Sequence, residues 1–161
     1  MVELESGRQL RVEKIREGTV IDHITSGTAL AVLRILNISG REGFIVSILM
    51  NVPSKKLGKK DIVKIEGREI SPKEVAEIAL VAPKATINII RDFKVIKKEQ
   101  VKLPSIVKDI IRCPNQRCIT NSQEPVKQLF YVENEDPVVL RCHYCSVLIE
   151  KDEIIKQFYR E

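Results

Sequence analysis

Apolar positions in the first hundred residues switch repeatedly between a period of two and a period near that of a helix. In "RQLRVEKI" (8–15), Leu10, Val12 and, after a break, Ile15 read as strand residues. "REGTVIDHI" turns at Gly18 and resumes an extended run. "SGTALAVLRIL" (26–36) sets Ala29, Leu30, Val32, Leu33 and Leu36 at helical spacing, with Ser26 or Thr28 as N-cap. "GFIVSILMNV" (43–52) is a β-branched-rich run ended by Pro53, and "DIVKIEG" (61–67) is a short alternating strand closed by Gly67. "SPKEVAEIALVAP" (71–83) predicts a helix: Ser71 caps it, Pro72 opens it, Glu74 completes a capping box and Pro83 stops it. "ATINIIRDFKVIKKEQV" (85–101) returns to strand, interrupted by Asn88, Arg91 and Asp92. Counted with the first two runs as one interrupted strand, the order is βαββαβ. That is the α+β, ferredoxin-like arrangement, an antiparallel sheet with both helices on one face. The second helix offers Val75, Ile78, Ala79 and Ala82 as its apolar stripe.

The remainder of the chain reads differently. All four cysteines lie between 113 and 145. Pro104, in "KLPSIVKDIIRC", breaks an extended segment just before that cluster. These features predict two domains, 1–103 and 104–161. The second holds a short helix or turn before Cys113, two short strands at "QLFYVE" and "PVVLR", and a helical tail, "KDEIIKQFYRE". The spacing is Cys113-x4-Cys118-x23-Cys142-x2-Cys145. Two short-spaced pairs joined by a strand pair bring four thiolates to one point, a tetrahedral set that suits one structural Zn2+ in a β-rich zinc ribbon. Four sulfurs close the coordination sphere and leave no position for a reacting water. Iron in a rubredoxin-like site fits the same thiolates, and spacing does not separate the two metals. His143 lies inside the second pair, but four sulfurs suffice without it.

Charge sharpens the division. Residues 1–102 carry 19 Lys/Arg against 13 Asp/Glu, a net +6, and residues 103–161 carry 8 against 9, a net −1. The basic part favours an anionic partner, or is simply a solvated lysine-rich surface. With 43% hydrophobic and 30% charged residues the composition is that of a globular protein. No run approaches the ~20 apolar residues of a membrane span, and "MVELESGRQLRVEK" has no apolar signal core, so a cytoplasmic location is expected.

Candidate chemistry in the basic part is limited. It has no glycine-rich phosphate loop, no dinucleotide fingerprint and no activated nucleophile in a recognisable context. The polar candidates are Asp22, His23, Lys60, Lys64, Asn88 and Lys98, each of which also reads as an ordinary strand-end or edge residue. An acid–base enzyme built on Asp22-His23 lacks a third orienting group and an open metal position. A zinc-ribbon nucleic-acid binder is the alternative, but it normally carries interleaved aromatics or arginine-rich tracts, and neither is present.

Four segments, "LRVEKIREGTVIDHI", "NVPSKKLGKKDIVKIEGREIS", "LVAPKATINIIRDFKV" and "CPNQRCI…EPV…LRCHYC", together resemble the regulatory chain of aspartate carbamoyltransferase from about residue 8 to the last cysteine. The resemblance implies a non-catalytic subunit that binds ATP, CTP and UTP as effectors in pyrimidine biosynthesis. It also implies pairing with a second regulatory chain and docking through the zinc domain on the catalytic chain, two catalytic trimers with three regulatory dimers. Carried onto this sequence, the effector pocket would use Val12, Glu13, Ile15, Asp22, His23, Lys60, Lys64, Asn88, Ile90, Phe93, Val95 and Lys98. Cys113, Cys118, Cys142 and Cys145 would hold the metal. Asn115 matches a docking residue of the family, and Arg117 stands where the family has a second asparagine. Phe93 stands where the family often has tyrosine, and Ser146 and Val147 stand where charged residues are expected.

Overall fold

The computed structural model describes residues 14–159. Its elements are β1 (Gly18–Thr25), α1 (Ala29–Ile35), β2 (Val46–Ser54), β3 (Gly58–Glu66), α2 (Pro72–Val81), β4 (Thr86–Arg91) and β5 (Lys94–Gln100). They are followed by β6 (Ile106–Lys108), β7 (Leu129–Glu135), β8 (Val138–Cys142), β9 (Leu148–Ile149) and α3 (Lys151–Gln157), with a 3-10 turn at Ile119–Asn121. Two antiparallel sheets result, ordered β2-β3-β1-β4-β5 and β6-β7-β8-β9. In the first, β4-β1-β3-β2 is the expected ferredoxin-like order, and β5 extends it at one edge.

Alternation decides which face of the large sheet is covered. Thr19 and Ile21 on β1, Asp61, Val63 and Ile65 on β3, and Ile87 on β4 are buried. Against them α1 packs Ala29, Val32, Leu33 and Leu36, and α2 packs Ile78, Ala79 and Ala82. The intervening residues Val20, Asp22, Lys60, Lys64 and Asn88 lie on the opposite, open face and stay half-exposed. The apolar core runs on without a break into the second sheet through Val101, Val107, Ile111, Phe130, Leu140 and Ile154. Gly18 opens β1 with φ +142°, and a Cβ there would lie 2.0 Å from the Ile65 carbonyl oxygen, so the close approach of β1 to β3 admits only glycine.

Several expectations are corrected. Residues 85–101 are not one strand but the hairpin β4–β5, because Asp92 (φ 49°) and Phe93 (φ 62°) both adopt left-handed backbone. Two such residues in sequence form the turn whose twist suits a two-residue hairpin. The stretch before Cys113 forms strand β6 paired with β7, because Val107 and Phe130 are both buried at the same register position. Pro53 does not end β2 but sits within it, opposite Lys59; β2 is an edge strand, where a missing N–H is tolerated. The predicted capping box on α2 is present, with Ser71 accepting from Glu74 N–H and Glu74 accepting from Ser71 N–H. Residues 8–13 of the first predicted strand lie outside the described residues.

Candidate functional site

Three strands and a hairpin build the first constellation. The register sets Lys64 on β3, Val20 on β1, Asn88 on β4 and Lys98 on β5 in one row across the open face. One pleat further along β1, about 7 Å away, Asp22 faces Thr86. Here β1 is kinked: His23 has φ 55° and the pairing with β3 shifts between Ile21 and Ile24. The kink turns the His23 ring back, with Nδ1 3.3 Å from Thr86 Oγ1, and lets Asp22 Oδ1 accept from the His23 N–H at 2.6 Å. Lys60 Nζ lies 2.9 Å from Asp22 Oδ1. Partial burial works to raise the Asp22 pKa, but the hydrogen bonds from Lys60 and the His23 backbone and the nearby positive charge outweigh it, and the carboxyl sits below its ordinary value. Asp22 therefore holds Lys60 in place as a carboxylate.

In the other direction the row opens on a cavity of about 400 Å³ lined by Lys14, Ile15, Val20, Lys64, Asn88, Ile90, Phe93 and Val95. Ile15 and Ile90 are buried there, outside the main core. The Phe93 N–H donates to Arg16 O at 3.0 Å, which ties the β4–β5 turn to the segment entering β1. Asn88 Nδ2 donates to Val20 O at 3.3 Å. The open face thus offers an apolar floor, four lysines (Lys14, Lys60, Lys64 and Lys98), an amide, and an imidazole whose Nδ1 is in reach of the Thr86 hydroxyl.

The structure gathers ten of the twelve predicted pocket residues on this face, and Val12 and Glu13 lie outside the described residues. Lys98 shares the row but does not line the cavity. Lys14 and Val20 line it and were not predicted. For Val20 the signal was available, since a residue two before Asp22 on a strand shares its face. For Lys14 it was not, because no regular element fixes its direction.

The second constellation lies at one end of the small sheet. Cys142 ends β8, and its N–H donates to Val147 O while its carbonyl accepts from the Ser146 N–H, both at 3.0 Å. Ser146 has φ 64°, and Val147 packs against the core, which accounts for a small and an apolar residue where charges were expected. The other loop closes by Cys118 N–H to Asn115 O at 3.0 Å, and Asn121 Nδ2 clamps the carbonyls of Cys113 (2.8 Å) and Asn115 (2.7 Å). The sulfurs of Cys113 and Cys145 are 3.5 Å apart and those of Cys118 and Cys142 3.8 Å apart, all four within 4.8 Å of one another. Ligands about 2.3 Å from one tetrahedral centre stand about 3.8 Å apart, so this donor set fits a four-sulfur metal ion. Burial pushes the Cys113 and Cys142 thiols up. Burial opposes ionisation of Cys145 as well, but hydrogen bonds from Asn115 and Val147 and the neighbouring thiols bring it down to about 6. His143 is used elsewhere, with Nδ1 2.5 Å from the Tyr131 hydroxyl. Asn115 is half-buried and its Oδ1 accepts from the Arg117 N–H at 3.1 Å. Of the two predicted docking residues, Arg117 is the exposed one.

Comparison with known proteins finds matches over both segments that carry these constellations. Residues 10–102 match the family model of the aspartate carbamoyltransferase regulatory chain, allosteric domain, and residues 105–155 that of its metal binding domain. The chain is similar to the aspartate carbamoyltransferase regulatory chains of Hyperthermus butylicus (56% identical, covering 96% of this chain and 97% of the relative) and Methanothermobacter thermautotrophicus (56%, covering 93% and 96%). It is 50% identical to that of Saccharolobus solfataricus, over 98% of this chain and 99% of the relative.

Proposed function

The chain belongs to the aspartate carbamoyltransferase regulatory chain family, and from that premise we propose that it is a non-catalytic sensor of nucleoside triphosphates for a carbamoyltransferase. Residues 1–103 bind ATP, CTP and UTP. Residues 104–161 hold one Zn2+ and dock on the catalytic chain, in an assembly of two catalytic trimers and three regulatory dimers that serves pyrimidine biosynthesis in the cytoplasm. The observation that carries this reading is the open face itself. A flat base stacks on Ile15, Ile90, Phe93 and Val95 at the cavity, while Lys64, Lys98, Lys60 and His23 follow in order along the sheet toward the sugar and phosphates. The apolar layer beneath that face continues through α2 into α3, so a change in strand spacing at the pocket has packed side chains to act on.

The homodimer is supported by the unequal edges of the large sheet. β5 guards its edge with Lys94, Lys97 and Lys98. β2 has no charged residue, and beside and along it Ile45, Ile48 and Met50 are 66%, 39% and 38% exposed. Such an edge pairs with a second copy more readily than it stays in water.

The test is co-purification with the host's carbamoyltransferase trimer, followed by aspartate saturation curves with and without ATP, CTP and UTP. A shift of half-saturation with at least one nucleotide is expected; curves indifferent to all three overturn the proposal. Lys98→Ala and His23→Ala are expected to weaken nucleotide titrations by about tenfold, the scale of one charged hydrogen bond, with metal content unchanged. Arg117→Ala is expected to loosen docking on the trimer and leave nucleotide affinity as it was. The reverse pattern rejects the division of labour between the two units.

A further inference from the structure

One side chain joins the first metal loop to the boundary between the two units. Gln157 ends α3, and its amide holds both backbone groups of Arg112: Oε1 accepts from the Arg112 N–H at 2.8 Å, and Nε2 donates to the Arg112 carbonyl at 2.7 Å. Arg112 directly precedes Cys113, whose own N–H donates to Gln128 Oε1 (3.1 Å) and whose carbonyl accepts from Asn121 Nδ2 (2.8 Å). Side-chain amides thus fix the chain where it enters the loop, beyond the end of β6. Gln128 and Asn121 are near the loop in sequence, but Gln157 reaches it from 45 residues away. α3 is also the helix of the second unit that lies against α2 of the first. Ile154 is fully buried in the shared core, and Ile155 and Phe158 pack against it. A helix of only seven residues is not stable by itself, and its N-cap, Glu150, makes no side-chain capping bond. Its order therefore comes from what it touches: the core and α2 on one side, Arg112 on the other.

We propose that Gln157 is a latch between the metal centre and the unit boundary, so that loading of the four cysteines and seating of α3 on α2 strengthen one another. The inference rests on the cysteines holding a metal and goes beyond that reading in what the metal controls. With the cysteines gathered on one ion, the loop from Cys113 to Cys118 is closed and the Arg112 peptide groups stay in one place. They then present a donor and an acceptor that one amide side chain satisfies together, at the cost of that side chain's rotamers alone. In the metal-free chain the loop is released, both bonds pass to water, and α3 is held only by its apolar side. Linkage makes the effect reciprocal: what metal loading gives to the seating of α3, the seating of α3 returns to metal affinity. Gln157 bonds the Arg112 backbone and not a cysteine sulfur, so it is a positioning residue that acts on the metal through the loop.

Two measurements on the full chain test this, with wild type, Gln157→Met and Gln157→Glu: Zn2+ titration in competition with a chelator of known affinity, and hydrogen exchange in α3 and α2. Methionine keeps the side chain's length and helix propensity and loses both bonds; glutamate keeps the acceptor and loses the donor. Gln157→Met is expected to weaken Zn2+ binding about fivefold, the scale of two modest backbone hydrogen bonds. With Zn2+ loaded, it is also expected to exchange faster than wild type in both helices. Gln157→Glu, with one bond left, should fall between the two. In chelated chains all three should exchange alike, because the latch is already open. Faster exchange with unchanged Zn2+ affinity makes Gln157 an ordinary helix-end contact and overturns the proposal. Weaker Zn2+ binding with unchanged exchange in α3 and α2 makes it a support of the loop alone and overturns it equally. A wild-type chain that takes up no Zn2+ overturns the metal reading along with the latch. That result is distinct from failure of the latch alone, in which wild type loads and both variants match it. Gln157 is half-buried at a helix end, and unchanged circular dichroism verifies that both variants fold.

Discussion

Cys118→Ser is expected to leave the chain unable to hold its metal and to unfold the small sheet, with the five-stranded sheet still formed. The reason is the size of what remains without the metal. The four-stranded sheet closes on Val107, Phe130, Val138, Leu140 and Ile149, all but Phe130 in strands of five residues or fewer. A unit of this size rarely folds on its apolar burial alone. A four-thiolate zinc site in small domains supplies on the order of 10–16 kcal/mol of apparent binding free energy at neutral pH, more than the whole stability of many domains. Replacing one buried sulfur removes a ligand and leaves a hydroxyl among three thiols. Metal analysis should fall from about one ion per chain to well below, and hydrogen exchange should lose protection in β7 and β8 but keep it in β1, β3 and β4. Wild type treated with a strong chelator should show the same pattern. Metal loading also has a definite pH direction. Burial raises the Cys113 and Cys142 thiols, so they bind metal only by giving up protons. Affinity rises with pH, protons are released on loading, and acidification favours the metal-free chain. A Cys118→Ser chain with full metal content and unchanged exchange in β7 and β8 rejects the site as a structural one.

The metal centre was legible because its information is local. Four cysteines at short spacings, with strands between the pairs, already define two loops meeting at a point. The helix α2 was legible for the same reason, since Ser71, Pro72, Glu74 and Pro83 mark both its ends. The open face was legible only through resemblance. No periodicity singles out Lys64 or Asn88, and what joins them is register between strands distant in sequence. The β4–β5 hairpin was missed because Asp92-Phe93 lacks the glycine that usually announces two left-handed residues. A bulky aromatic in that conformation is uncommon, and here the backbone bond to Arg16 and the cavity wall hold it. The start of α1 was read at Ser26 or Thr28, the second as found, but its capping group was not read. Thr28 is its N-cap, yet its hydroxyl donates back to Thr25 O at 2.7 Å and caps nothing.

The cap comes instead from Asp61, more than thirty residues away, and this sets the second large expectation. Asp61 is fully buried. Its Oδ2 accepts from the N–H groups of Gly27 (2.9 Å) and Ala29 (3.0 Å), and its Oδ1 accepts from the Asn51 N–H (2.9 Å). One carboxylate thus serves the first turn of α1, where the helix dipole favours negative charge, and the left-handed Asn51 in the β2 bulge. The register shifts of β1 against β3 and of β2 against β3 both fall beside this residue. Asp61→Ala orphans three backbone donors, of which the Ala29 N–H is buried while those of Gly27 and Asn51 lie on exposed residues, and leaving the buried donor unsatisfied costs about 1–3 kcal/mol. Asp61→Asn keeps the volume but turns one acceptor oxygen into a donor facing a donor, so it should recover only part of the loss. Denaturant unfolding followed by a probe in the large sheet measures both. Metal content should not change, because the cysteines are held by other strands. Nucleotide affinity should fall with stability, since Lys60 and Lys64 flank Asp61 on β3 and owe their position to that register. Asp61→Ala with wild-type unfolding midpoint and wild-type nucleotide affinity would show that the bulges hold themselves, and that the buried carboxylate organises neither the helix nor the face it supports.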